Sequence, residues 1–262
     1  MTATASAPPR LALEDVSKDF GGIHAVRGLS LQAARGEILG IIGPNGAGKS
    51  TVLSLIAGDQ RASAGRILLD GRSIDRLPQY RRVRAGVAYV RQHTANLDRA
   101  SVGENVLLGL GAHGARRAAG GWLRFALGVA APRGEEQARC LAILDEVGLG
   151  SRMREPIAGL SHWEKRLLSL ARVLAVSPTV VLLDEPFAGL SPVETEGFVA
   201  IIRRLRAEQG QTFVLTEHNV DAVLRLCDRI VALHFGEKIA HDVPTKIATH
   251  EKVIEVYLGG PS

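Results

Sequence analysis

The stretch GEILGIIGPNGAGKS, Gly36 to Ser50, constrains this chain more than any other. Its first half is a continuous apolar run, the pattern of a strand buried on both faces. Its second half, GPNGAGKS (Gly43 to Ser50), fits the phosphate-loop pattern G-x-x-x-x-G-K-[ST]. That pattern carries its chemistry only between a strand and a helix, and a helix is expected from Lys49. The glycines let the backbone turn so that consecutive N–H groups point inward at phosphate oxygens. The following helix start adds partial positive charge. Gly43, Pro44, Asn45, Gly46, Ala47, Gly48, Lys49, Ser50 and Thr51 are therefore expected to bind the phosphates of ATP. Lys49 reaches the β- and γ-phosphates, and the Ser50 hydroxyl is a Mg²⁺ ligand.

Around this unit the chain alternates short elements. Residues 1–9 read as a disordered tail. LALEDVSKDF and HAVRGLSLQ, parted by Gly21 and Gly22, read as antiparallel strands. GRILLDG (65–71) and GVAYVRQ (86–92) are further strands. Residues 93–159 turn to helical spacing, with a Gly-, Ala- and Arg-rich insertion at 111–134. A helix opening at Ser161 follows, then the buried strand TVVLLDE, a helix over 192–209 and the strand TFVLTEH. A helix over 220–227, a hairpin turning at Gly236 and the helix EKVIEVYLG close the chain. Strands alternating with helices imply a parallel sheet and an α/β fold. One domain over 10–258 is expected, carrying an N-terminal antiparallel β-subdomain and a helical subdomain at 93–159.

Further motifs carry chemistry. In VVLLDEP (Val180 to Pro186), Asp184 ends an apolar strand and would hold Mg²⁺, directly or through water. Glu185 would then polarise the attacking water. An isolated Asp-Glu pair after a strand is a turn or a helix cap; downstream of a phosphate loop the catalytic reading prevails. His218 ends TFVLTEH, where strand ends of α/β sheets line a ligand crevice. It is either a γ-phosphate sensor or a cap of the next helix. Gln92 ends GVAYVRQ and either reaches the Mg²⁺ or the water, or is an ordinary exposed glutamine. In GLSHWEKRLLSLARVLA (Gly159 to Ala175), Ser161 and Glu164 form a capping box. Such a helix start is an anion site or a plainly capped helix.

Charge and cysteine use narrow the classes. The 32 basic and 27 acidic residues leave a net charge of +5, too small an excess to imply nucleic acid. RRVR (Arg81 to Arg84) and RRLR (Arg203 to Arg206) read as solvated faces, or as faces near anionic lipid or phosphate. Cys140 and Cys227 lie far apart and read as reduced, half-buried thiols of a cytoplasmic protein. MTATASAPPR has no apolar core and reads as no signal peptide. AAGGWLRFALGVAA is too short to span a bilayer and carries Arg124. A soluble or peripheral protein is expected.

The order of phosphate loop, Gln92, LSHWEKR, LLDEP, AGLSP and His218 resembles the ATP-binding cassette (ABC) ATPases, over about residues 10–258. FGGIHAV, TEHNVDAV and the ending VYLGG look like the subfamily that powers bacterial importers of branched-chain amino acids, urea and short amides. The resemblance implies a P-loop NTPase with a RecA-like parallel-sheet core. It implies ATP hydrolysis with Mg²⁺, Phe20 stacked on adenine, and Gln92 in a loop that senses the membrane subunits. Ser50, Gln92 and Asp184 would be the metal ligands, and Glu185, His218 and Gln92 the catalytic residues. Leu160 to Glu164 match the LSGGQ signature, so Ser161 would bind ATP held by a second ATPase. The implied partners are integral membrane permease subunits, that second ABC ATPase and, indirectly, an external solute-binding protein, with no nucleic acid. The implied location is the cytoplasmic face of a bacterial inner membrane. Two rivals stay open: a soluble ABC ATPase acting on nucleic acid or ribosomes, and a regulatory subunit that binds ATP with little hydrolysis.

The chain departs from the resemblance at His162 and Trp163, which stand where the signature has glycines. A tryptophan there is expected to add a ring at a close interface, where glycine lets the backbone N–H approach the phosphate. Glu164, in the place of glutamine, keeps the capping box but adds a charge. An asymmetric heterodimer is the resulting expectation, with this chain's own nucleotide site completed by a partner's intact signature.

Overall fold

The computed structural model describes residues 8–91, 97, 100–114 and 134–258. Gln92 lies outside the described residues, as do 1–7 of the expected tail and 115–133 of the expected insertion.

The N-terminal hairpin forms as expected: β1 (Leu11–Phe20) turns at Gly21 and Gly22 into β2 (Ile23–Ala33). β3 (Ile38–Ile42) and α1 (Lys49–Ala57) flank the phosphate loop. β4 (Ala64–Leu69) and β5 (Arg72–Ser73) follow, and β4 pairs with β1 to make a four-stranded antiparallel sheet. Next come α2 (Gln79–Ala85), β6 (Val87–Val90), α3 (Val102–Gly114), α4 (Gly134–Glu146) and α5 (His162–Leu174). β7 (Val180–Asp184), α6 (Pro192–Gln209), β8 (Thr212–Glu217), α7 (Val220–Leu226), β9 (Arg229–His234) and β10 (Glu237–Asp242) complete the second sheet and its cover. Two C-terminal helices, α8 (Pro244–Ile247) and α9 (Glu251–Leu258), end the described chain.

The second sheet has the order β10-β9-β3-β8-β7-β6. Its five strands other than β10 run parallel. β3 lies inside the sheet with all five residues buried, which is why its sequence is apolar without alternation. Its side chains still alternate in destination. Ile38 and Ile42 enter a core with Val181, Leu183 and the helical segments; Leu39 and Ile41 enter another with Leu182, Val52 and the antiparallel sheet. Gly40 has no room for a side chain, because a Cβ there would stand 2.7 Å from Val223 Cγ1 on α7. The helical subdomain packs through α3, α4 and α5 onto the first core, where Val106, Leu144 and Leu168 have no exposure. Burying a leucine of this kind stabilises the fold by about 2 kcal/mol.

One surface expectation is corrected. Arg82 of RRVR is 2% exposed and belongs to the interior. Its guanidinium donates to the carbonyls of Leu55 (2.6 Å) and Ile56 (3.0 Å), at the C-terminal end of α1, and to Leu77 (3.0 Å) and Asp75 (3.0 Å). A cation there satisfies helix-end carbonyls that have no intrahelical partner and complements the negative end of the dipole. The RRLR arginines also bond within the chain: Arg203 to the Arg225 carbonyl, Arg204 to that of Glu146, and Arg206 to Gly36 and Asp228. Both cysteines are free and fully buried, and burial pushes the Cys140 thiol up to about 11. Arg82→Met should lower stability by about 3 kcal/mol, since it strands several carbonyls. Urea denaturation checks this, and a loss below about 1 kcal/mol would remove Arg82 from that role.

Candidate active site

The C-terminal ends of β3, β7 and β8 converge. Ile42 stands opposite Glu217, and Asp184 opposite Thr216. This register brings the phosphate loop, Asp184-Glu185 and Glu217-His218 to one edge of the sheet, where α/β proteins bind ligands. Gly46 (φ 80°) and Gly48 (φ 97°) adopt left-handed backbone that other residues reach only with strain. A Cβ on Gly48 would also stand 2.4 Å from the Ala25 carbonyl oxygen of β2, so the hairpin packs against the loop. Gly48 caps α1 with no side chain in the way of its first N–H groups. Lys49 is buried and donates to the carbonyls of Gly43 (2.7 Å) and Pro44 (3.1 Å). Burial lowers its pKa, and the carboxylates of Glu185, Asp184 and Glu217 oppose that shift.

Asp184 is the hub. Its Oδ1 accepts from Ser50 Oγ (2.9 Å) and Thr216 Oγ1 (2.7 Å), and its Oδ2 from Tyr89 Oη (2.8 Å). Glu185 follows in left-handed backbone (φ 47°), a costly conformation for a residue with a Cβ. Its N–H donates to the Thr216 carbonyl at 3.0 Å, which fixes the turn. Its Oε1 lies 3.6 Å from Nδ1 of the more exposed His218. The expected pair is thus assembled: Glu185 with His218 beside it, and Ser50 with Asp184.

Tyr89, Thr216 and Glu217 went unmarked in the sequence. Glu217 is 1% exposed and accepts from the N–H groups of Phe187 (2.8 Å), His218 (3.2 Å) and Asn219 (3.4 Å). Burial raises its pKa against those three bonds. It braces the loop after Glu185 against the segment that carries His218. The available signal was a polar residue inside an otherwise apolar strand, which in TFVLTE applies to Thr216 and Glu217 alike.

At the start of α5 the capping box forms: Ser161 Oγ accepts from the Glu164 N–H (3.2 Å), and Glu164 Oε2 from the Ser161 N–H (2.8 Å). Glu164 also pairs with Arg152, and its pKa is lowered first by the Ser161 N–H. Its charge is therefore already engaged. The Trp163 ring turns back onto its own chain. Its ring packs edge-on to Phe198 of α6, with centroids 6.1 Å apart, and over Gly197. Half-buried there, it serves the chain's own core. His162 reaches sideways: a Cβ on Gly189, in the AGLSP loop, would stand 3.2 Å from its ring. Phe20 sits 44% exposed at the hairpin tip, with Lys18 Nζ 4.6 Å from its ring centroid, so it is no core aromatic.

A glycine-lined loop capping a helix, a buried lysine and a carboxylate pair at the sheet edge define a P-loop nucleotide site. Comparison with known proteins agrees. The family model described as ABC transporter matches residues 26–188, and the chain belongs to that family. It is 33% identical over 253 residues to the high-affinity branched-chain amino acid transport ATP-binding protein BraF of Pseudomonas aeruginosa, covering 96% of this chain and 98% of that one. It is 34% identical to the lipopolysaccharide export system ATP-binding protein LptB of Escherichia coli, covering 95% and 97%. Among solved structures, the ADP conformation of an ATP-binding cassette of an ABC transporter superposes with TM-score 0.84 at 27% identity, covering 96% of this chain and 99% of that one. The chain is an ATP-binding and ATP-hydrolysing subunit of an ABC transporter.

Proposed function

We propose that this subunit energises import of branched-chain amino acids or related small polar solutes. The observation that carries this reading is the end-to-end match to BraF, supported by FGGIHAV, TEHNVDAV and VYLGG. The phosphate loop from Gly43 to Thr51, through the backbone N–H groups other than that of Pro44, and Lys49 would hold the phosphates of ATP, with Phe20 against the adenine. Glu185 orients and deprotonates the attacking water, and His218 contacts the γ-phosphate. Ser50 and Asp184 offer two hard oxygen donors, too few for an all-protein Mg²⁺ cage but suited to an ion that shares phosphates and waters. Held by Ser50 and Asp184, the ion would supply positive charge against that developing on the phosphates. Gln92, outside the described residues, is assigned to the same ion and to the membrane-facing loop.

Ser161 binds the ATP of a second ABC ATPase, through a helix start whose His162 and Trp163 N–H groups have no intrahelical acceptor. Trp163 is packed inward and Glu164 is ion-paired, which removes the steric and electrostatic grounds for requiring a different partner chain. A second copy fits as well as a distinct ATPase. Integral membrane permeases and, through them, an external solute-binding protein complete the system. The subunit sits peripherally at the cytoplasmic face of a bacterial inner membrane. No helix among the described residues is long and apolar enough to cross a bilayer.

A tagged chain should recover polytopic permeases from detergent-solubilised membranes, identified by mass spectrometry. Permeases of a solute importer support the reading, and those of an export system overturn it. Recovery of ribosomes or nucleic acid without membrane protein would overturn transport altogether. A second ATPase in the same sample establishes a heterodimer, and its absence a homodimer.

A further inference from the structure

Both oxygens of Asp184 are held, but from different sides. Ser50 and Thr216 reach Oδ1 from α1 and β8, and Tyr89 reaches Oδ2 from β6 at 2.8 Å. Tyr89 is partly buried, and it shares one cavity with Ser54, one turn beyond Ser50 on α1. The Arg91 guanidinium lies 5.6 Å from the Tyr89 ring centroid and is ion-paired with Asp59 at 2.5 Å. Ser54, Asp59, Tyr89, Arg91 and Asp184 all line one cavity of about 620 Å³ along the C-terminal half of α1.

A carboxylate with one oxygen hydrogen-bonded can still turn about its own bond; one gripped at both oxygens cannot. A tyrosine needed only for packing requires its ring, not a hydroxyl bonded to an ionised acceptor. We propose that Tyr89 is a positioning residue for ATP hydrolysis. It holds Oδ2 of Asp184 so that Oδ1 keeps its bearing on Ser50, and the Arg91–Asp59 wall of the cavity sets where the Tyr89 ring stands. The cavity thereby has a physical line to the reacting end of the site, through one hydroxyl. This rests on the assignment of Asp184 to the metal side of the site.

The test is Tyr89→Phe in the full chain, which removes one oxygen and keeps the ring. Binding of a fluorescent ATP analogue is titrated with Mg²⁺ and repeated in EDTA; ATP turnover is measured separately. Groups that orient a metal ligand typically change metal affinity or activity 10–100-fold when lost. The Mg²⁺ midpoint should therefore rise about tenfold and kcat fall about tenfold, with KM for ATP within about twofold. Affinity in EDTA should not move. Asp59→Asn should shift the Mg²⁺ midpoint the same way, by about threefold. An unmoved midpoint in Tyr89→Phe overturns the proposal, and so does an equal loss of binding in EDTA, which marks general support of the loop. No shift in Asp59→Asn removes the cavity wall from it. Asp184→Asn run in parallel separates the two readings. If it leaves the Mg²⁺ dependence intact, the assignment of Asp184 fails; if it shifts while Tyr89→Phe does not, only Tyr89 fails.

Discussion

Replacing Glu185 with glutamine should lower ATP turnover by about a thousandfold while ATP binding persists. The side chain keeps its size and its place beside His218, so only the ability to take a proton is lost. The backbone supports the isosteric reading, since the Glu185 N–H donates to the Thr216 carbonyl whichever side chain is present. With binding intact and hydrolysis blocked, the ATP-bound dimer should accumulate. Phosphate release measures the first effect, and gel filtration with and without ATP the second. Turnover within tenfold of the unmodified chain would take Glu185 out of its role as base.

Lys49→Ala should remove nucleotide binding by a different route. In the structure Nζ spans the carbonyls of Gly43 and Pro44, so the loop is held by the same ammonium that would meet the phosphates. Two charge-assisted hydrogen bonds lost from a buried site amount to about 4 kcal/mol, roughly a thousandfold in affinity. Isothermal titration with Mg·ATP checks this. Affinity within about tenfold of the unmodified chain would show that the loop N–H groups suffice without Lys49. The two variants are complementary: one keeps ATP and stops the chemistry, and the other prevents the encounter.

The similarity to BraF and to LptB, one named for branched-chain amino acid transport and the other for lipopolysaccharide export, has a structural reading. Nothing in the phosphate loop, the Asp184 hub or the Glu185–His218 pair concerns the cargo. These groups handle phosphates and water, which relatives named for different cargoes have in common.

Local physics was legible in the sequence. The burial of β3 showed as an apolar run, the loop as glycines where left-handed backbone is required, and the capping box of α5 as Ser161 with Glu164. The span of α6 was legible to the residue, because apolar spacing and caps repeat over a few positions. Asp184 and Glu185 were legible because a strand end fixes where its last side chains emerge. Other features depend on which distant segments meet and how each element is rotated, and short-range pattern holds neither. Arg82 sits in a basic run and reads as solvated until α1 presents its carbonyls to it. Trp163 stands where a glycine is expected and reads as an obstruction until Phe198 and Gly197 take its ring. Tyr89 and Asp184 are 95 residues apart in the chain. They touch because β6 pairs with β7 in a register that hydrophobic alternation constrains to a face but not to a partner. The sequence by itself thus determined the glycine turns, the buried strands and the candidate site residues, though not the short helix α2; only the tertiary structure decided which side chains hold those residues still, since that depends on contacts between segments remote along the chain.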